Sequence, residues 1–121
     1  MKYIIIPEQK TIHQLPFYFA VEEYVARKYT NDDYFMAWRV EPTVMLGRNQ
    51  LIENEVNIDY CKRNKIHIFR RKSGGGCIYA AKGCMQFSYI SFAENVNSDF
   101  IEYMKSIEEM LKSLGIHHEL S

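Results

Sequence analysis

Three consecutive glycines, Gly74, Gly75 and Gly76, break the stretch IHIFRRKSGGGCIY (residues 66–79) into two apolar runs joined by a turn. The first run, Ile66, His67, Ile68 and Phe69, is rich in β-branched and aromatic side chains and reads as a buried strand. It ends in two guanidiniums, Arg70 and Arg71, then Lys72 and Ser73; beyond the glycines, Cys77, Ile78 and Tyr79 begin a second strand. Without a Cβ, glycine backbone can turn its N–H groups toward a ligand and approach it closely. Each arginine adds a planar fork suited to phosphate or carboxylate, and a charge-assisted bond of this kind nets about 1.5–3 kcal/mol. This junction therefore predicts an anion cradle, suited to a nucleotide phosphate and an activated acyl group.

The rest of the chain supplies the frame. Its 121 residues suffice for one domain with a core, and 47% hydrophobic against 25% charged residues is a globular balance. Aromatics make up 14%, so the core is expected to be aromatic. Lys+Arg and Asp+Glu are both 15, a net charge of +0 that argues against a general nucleic-acid binder. Cys61, Cys77 and Cys84 fit no zinc spacing and are an odd count for disulfides, so neither a metal site nor a disulfide framework is expected. The apolar run at residues 3–6, ended by Pro7, is too short for a signal peptide or membrane span, which points to the cytoplasm.

In order, the pattern predicts a strand at 3–6, a polar loop at 8–11 and a helix from Pro16 to about Tyr29. Leu15, Phe19, Ala20, Tyr24 and Val25 would form the apolar face of that helix. Strands at 34–40 and 43–46, separated by Glu41 and Pro42, suggest a hairpin. The second of these runs into Gly47, Arg48, Asn49 and Gln50. A short helix over 57–64, capped by Asn57, precedes the glycine stretch, and 85–92 alternates as a half-buried strand. A last helix is capped by Ser98 or Asp99, repeats Phe100, Ile101, Met104, Ile107, Met110, Leu111 and Leu114, and stops at Gly115; residues 116–120 start another strand. This order predicts an α/β fold of the α+β type, a mixed sheet flanked by helices.

FAVEEY (19–24), Trp38-Arg39, TVMLGRNQ (43–50), RRKSGGGCIY (70–79) and MQFSY (85–89) together resemble the lipoate–protein ligases, in the order and at the spacings of that family. The resemblance implies the biotin/lipoate ligase-like catalytic fold with a mixed, largely antiparallel sheet. It also implies a two-step reaction: lipoate and ATP, with magnesium (Mg2+), give lipoyl-adenylate and pyrophosphate, and the lipoyl group passes to a lysine of an acceptor protein. The implied acceptors are lipoyl domains of 2-oxoacid dehydrogenase complexes or the glycine cleavage H protein. Arg71 falls at the family's ATP-binding arginine, and Gly76, Cys77, Ile78 and Tyr79 on its adenylate-binding segment. Gly74 and Gly75 shape the same loop, Arg70 lies beside it, and Arg48 is expected near the pocket mouth. Ala80 and Ala81 stand where the family carries histidine and aspartate, and Cys84 where it carries asparagine, removing polar groups from the loop rim. The family's lysine that contacts lipoate and the adenylate phosphate falls beyond the point matching Ser121. Residues 1–121 are thus expected to be one domain, the amino-terminal part of an incomplete catalytic domain, with no catalytic side chain of its own.

Other readings attach to single residues. Cys77 could be the nucleophile of an octanoyl or lipoyl transferase if a neighbouring base or cation lowered its pKa; a small buried hydrophobe is the plainer role. A non-catalytic ligand-binding relative is the third reading. Cys61 and Cys84 read as structural, and His67 as a hydrogen-bonded neighbour in its strand. Adjacent His117 and His118 would point to opposite faces of a strand, which argues against a metal site with Glu119. Glu22 and Glu23 read as a helix anchor to an arginine such as Arg39 rather than as paired catalytic acids.

Overall fold

The computed structural model describes residues 1–7, 12–92, 94–117 and 119, in two units, Met1–Ile90 and Ser91–Ser121. The first orders β1 (Lys2–Tyr3), α1 (Leu15–Lys28), β2 (Tyr34–Trp38), β3 (Thr43–Leu46), α2 (Ile52–Glu55), α3 (Ile58–Arg63), β4 (His67–Arg70), β5 (Ile78–Ala80) and β6 (Gln86–Ile90); the second holds α4 (Val96–Ser113). This is the mixed α+β class expected, with the strands divided between two three-stranded sheets, β1-β2-β6 and β4-β3-β5. In each, the central strand runs parallel to one neighbour and antiparallel to the other.

The hairpin expected across Glu41 and Pro42 does not form, because β2 and β3 belong to different sheets. A two-residue hairpin loop needs positive φ at its first central position, and neither Glu41 nor Pro42 adopts it. The connection crosses between sheets instead. Val40 is fully buried within it, and Thr43 Oγ1 donates to the Glu41 carbonyl at 2.7 Å. His67 N–H donates to the Pro42 carbonyl at 2.9 Å, which sets β4 beside β3.

α1 joins the two sheets. Proline in its first turn lacks only an N–H that would have no helical partner there. Its buried stripe is Leu15, Tyr18 and Val25, with Glu22 at the intervening helical position. Tyr24, expected on that face, is exposed. Tyr18 stacks on Trp38 of β2 with ring centroids 4.6 Å apart, while Phe19 meets Trp38 at 6.1 Å and Phe69 of β4 at 5.7 Å. Aromatic pairs of this kind add about 0.5–1.5 kcal/mol beyond area burial. With Leu15, Met36, Val40, Met45 and Ala80 they form the core.

α3 begins as expected, the Asn57 side chain accepting from Tyr60 N–H at 3.0 Å. α2 has no counterpart in the periodicity. In the second unit the cap of α4 is Asn95, not Ser98 or Asp99; its Oδ1 accepts from Asn97 N–H at 3.1 Å and Ser98 N–H at 3.2 Å. Gly115 ends α4 with φ +70, and the Gly115→Lys112 and Ile116→Leu111 bonds, both 3.0 Å, close a Schellman turn. The loop expected at 8–11 lies outside the described residues, as do His118 and Leu120 of the final expected strand. No helix among the described residues is long and apolar enough to cross a membrane.

Candidate functional site

Parallel pairing of β3 with β4 aligns Leu46 with Arg70, so the GRNQ segment and the glycine turn leave the same end of one sheet. Arg71 N–H donates to the Leu46 carbonyl, and Arg48 N–H to the Ser73 carbonyl, each at 2.9 Å. Arg70 Nη1 donates to the carbonyls of Gly47 at 3.0 Å, Arg48 at 3.3 Å and Gln50 at 2.6 Å, bracing the first segment. Gly47 N–H donates back to Gln50 Oε1 at 2.9 Å.

Arg71 shapes the glycine turn itself. Its Nη2 donates to the carbonyls of Gly74 at 2.9 Å and Gly76 at 2.7 Å, and Nη1 reaches the Met45 carbonyl at 3.4 Å. Between them Gly75 has φ +100, which only glycine adopts at little cost. The Gly75 carbonyl seats on Gly47, where a Cβ would lie 2.0 Å from that oxygen. All three glycine carbonyls are therefore turned inward. None of the three N–H groups has an acceptor among the described residues. Nothing lies within 4 Å of where a side chain would start at Gly74 or Gly76. An array of free N–H groups beside a guanidinium is an anion-binding arrangement.

Arg48, Arg70, Arg71, Gly74, Gly75 and Gly76 thus come together. Cys77 follows, half-buried, while Ile78 and Tyr79 lead away along β5 with exposed side chains. Ala80 is fully buried in the core opposite Thr43, so its lack of a polar side chain alters the core rather than the loop rim; Cys84 is exposed rather than structural. His67 too is exposed, at the start of β4. Burial pushes the Cys77 thiol up, the charge of Glu55 adds to that rise, and Arg71 opposes it. A nucleophilic thiolate needs the reverse.

The two glutamates of α1 do separate jobs, neither with Arg39. Glu23 binds Lys72 Nζ at 3.0 Å and Arg27 Nη2 at 2.6 Å. Glu22 accepts a short hydrogen bond from Ser88 Oγ, which accepts from Trp38 Nε1 at 2.7 Å. Desolvation raises the Glu22 carboxyl above its usual range, partly offset by the Ser88 bond. Sequence reasoning missed two of these elements. Glu22 had a signal, its helical register with Leu15 and Tyr18. Gly47 had none beyond its place at a strand end.

The mixed α+β fold with this turn at the strand ends is that of a lipoate ligase-like class. The chain matches the lipoyl protein ligase A/B catalytic domain over residues 14–121 and belongs to that family. It is 35% identical over 104 residues to lipoate–protein ligase 1 of Staphylococcus aureus, covering 84% of this chain and 32% of the relative. A structure of a bi-partite lipoate–protein ligase and its E2 lipoyl domain from Thermoplasma acidophilum superposes with TM-score 0.82 at 25% identity, covering 99% of this chain and 47% of that one. A lipoate–protein ligase A bound with ATP superposes with TM-score 0.74 at 29% identity, covering 84% and 44%. The chain spans about a third of the curated relative's length.

Proposed function

We propose that this chain carries the adenylate-binding part of a lipoate–protein ligase, with Arg71, Gly74, Gly75, Gly76 and Cys77 around the phosphate and Arg70 and Arg48 bracing the loop. Ile78 and Tyr79 would border the acyl chain or the adenosine. The observation that carries the reading is a glycine turn whose carbonyls face Arg71 and Gly47 while the N–H groups of Gly74, Gly75 and Gly76 have no acceptor among the described residues. In the first step a lipoate carboxylate oxygen attacks the α-phosphorus of ATP, and the bond to pyrophosphate breaks. Fixed N–H donors stabilise the charge that develops on the α-phosphate. In the second step an acceptor lysine amine attacks the acyl carbon, AMP leaves and the amine loses a proton. Positioning carries most of such a reaction, and no side-chain nucleophile is required.

The acceptor would be a lipoyl domain or H protein in the cytoplasm. Among the described residues no three His, Cys, Asp or Glu side chains form a group that could hold a metal ion. Residues 1–121 would form the amino-terminal part of the catalytic domain.

Calorimetry with a non-hydrolysable lipoyl-adenylate mimic tests the reading. Binding should occur and weaken at least about tenfold in Arg71→Ala, the loss of one charge-assisted contact. Equal affinity of wild type and Arg71→Ala sinks the assignment. Lipoate-dependent exchange of labelled pyrophosphate into ATP, by the chain alone and with a lysine-bearing family segment added, then separates binding from turnover. A thioester on Cys77 after incubation with acyl donor would favour the transferase chemistry instead.

A further inference from the structure

We propose that Lys72 is a further cationic ligand for the anion at the glycine turn, held in reserve by Glu23 and handed over when the anion binds. This deepens the reading above and rests on it, since it adds a side chain to the same phosphate site.

Arg70 and Arg71 have their guanidiniums engaged with backbone carbonyls, three each. These bonds fix both guanidiniums in the loop, where they act from set positions. Lys72, the next residue in the same loop, is differently placed. Its side chain is 91% exposed, and Glu23 Oε2 holds its ammonium at 3.0 Å. The other carboxylate oxygen, Oε1, stays with Arg27 at 2.6 Å. Release of Lys72 therefore leaves Glu23 paired rather than stranded.

Exposed ion pairs contribute little to stability, so this one yields readily to a stronger anion. A di- or triphosphate offers more charge than one carboxylate, and a lysine stem has the rotatable bonds to swing to it. Glu23 also sits below the usual carboxylate range, chiefly through the Lys72 hydrogen bond, and so is ionised and competent to hold the lysine at neutral pH. Because Glu23 would act on the ligand only through Lys72, it is a positioning residue.

Calorimetric titration of the 121-residue chain with ATP and with pyrophosphate tests this. Lys72→Met should weaken binding about five- to twentyfold, a charge-assisted contact discounted for exposure, whereas Lys72→Arg should retain most of it. Glu23→Gln should tighten binding about two- to fivefold, the worth of an exposed pair. In the Lys72→Met background, Glu23→Gln should change nothing, since the latch has lost its bolt. Unfolding midpoints of the variants serve as the control for folding.

If wild type binds but Lys72→Met binds equally well, the inference falls and the phosphate reading stands. If Glu23→Gln tightens binding by the same factor with and without Lys72, a through-space field and not a latch is at work, and the inference falls again. If wild type binds neither probe, the phosphate reading fails and takes the inference with it.

Discussion

Gly47→Ala should damage the glycine turn more than alanine at any of the three consecutive glycines. A Cβ on residue 47 would stand 2.0 Å from the Gly75 carbonyl oxygen and 3.0 Å from its carbon. Real Cβ contacts do not fall below 3.0 Å, so the Gly75 peptide has to retreat by about 1 Å. A retreat of about that size is enough to carry one of the Arg71 bonds, to Gly76 (2.7 Å) or to Gly74 (2.9 Å), beyond hydrogen-bonding range. Overpacking costs about 1–3 kcal/mol, and one weakened Arg71 bond, its partners still able to reach water, about 0.5–1.5 kcal/mol. The expected loss is about 2–4 kcal/mol, read as a lower urea midpoint at unchanged slope. Gly75→Ala should cost about 1–3 kcal/mol, from its φ of +100 and a Cβ 2.9 Å from the mobile end of Arg71. Gly74→Ala and Gly76→Ala enter open space and should stay within about 0.5 kcal/mol. Stability of Gly47→Ala within that same margin would refute the seating of the turn on residue 47.

Glu22→Gln tests the buried carboxyl of α1. Its pKa is raised in the fold above 4.5, so between 4.5 and that raised value the native state binds more protons than the unfolded one, and stability falls as pH rises through the window. Glu22→Gln should flatten that fall; parallel stability–pH curves for the two proteins would show that Glu22 does not titrate this way. Lys65 holds φ +54 at the end of α3, where Ile66 N–H donates to the Cys61 carbonyl at 2.9 Å. Lys65→Gly should therefore stabilise by about 0.5–1 kcal/mol in urea unfolding, and a destabilisation would contradict the strain at that position. Asn95→Ala removes an acceptor from two N–H groups of α4 and should cost about 0.5–2 kcal/mol of local stability. Amide exchange at Asn97 and Ser98 should accelerate, and unchanged protection there would remove Asn95 as the cap.

What could be read from the chain was what neighbouring residues decide. The existence of α1 and α4, the Asn57 cap and the Gly115 stop all depend on groups within a few positions, and all appear in the structure. Partner choice between distant segments was not legible. The short Glu41-Pro42 link implied a hairpin, but partners for β2 and β3 are set by β6 and β4, far along the chain. The same limit applies to the candidate site. Read locally, Gly74, Gly75 and Gly76 are equivalent, three residues without a Cβ. In the fold only Gly75 uses positive φ, while Gly74 and Gly76 supply carbonyls to Arg71 and present no crowding. Of the glycines, only Gly47, at the end of the parallel strand alongside, has backbone where a Cβ would stand. The candidate site is thus two strand ends locked together by Arg70 and Arg71. A single run of glycines forms only one half of it, which is why GRNQ and RRKSGGG have to be read as one unit.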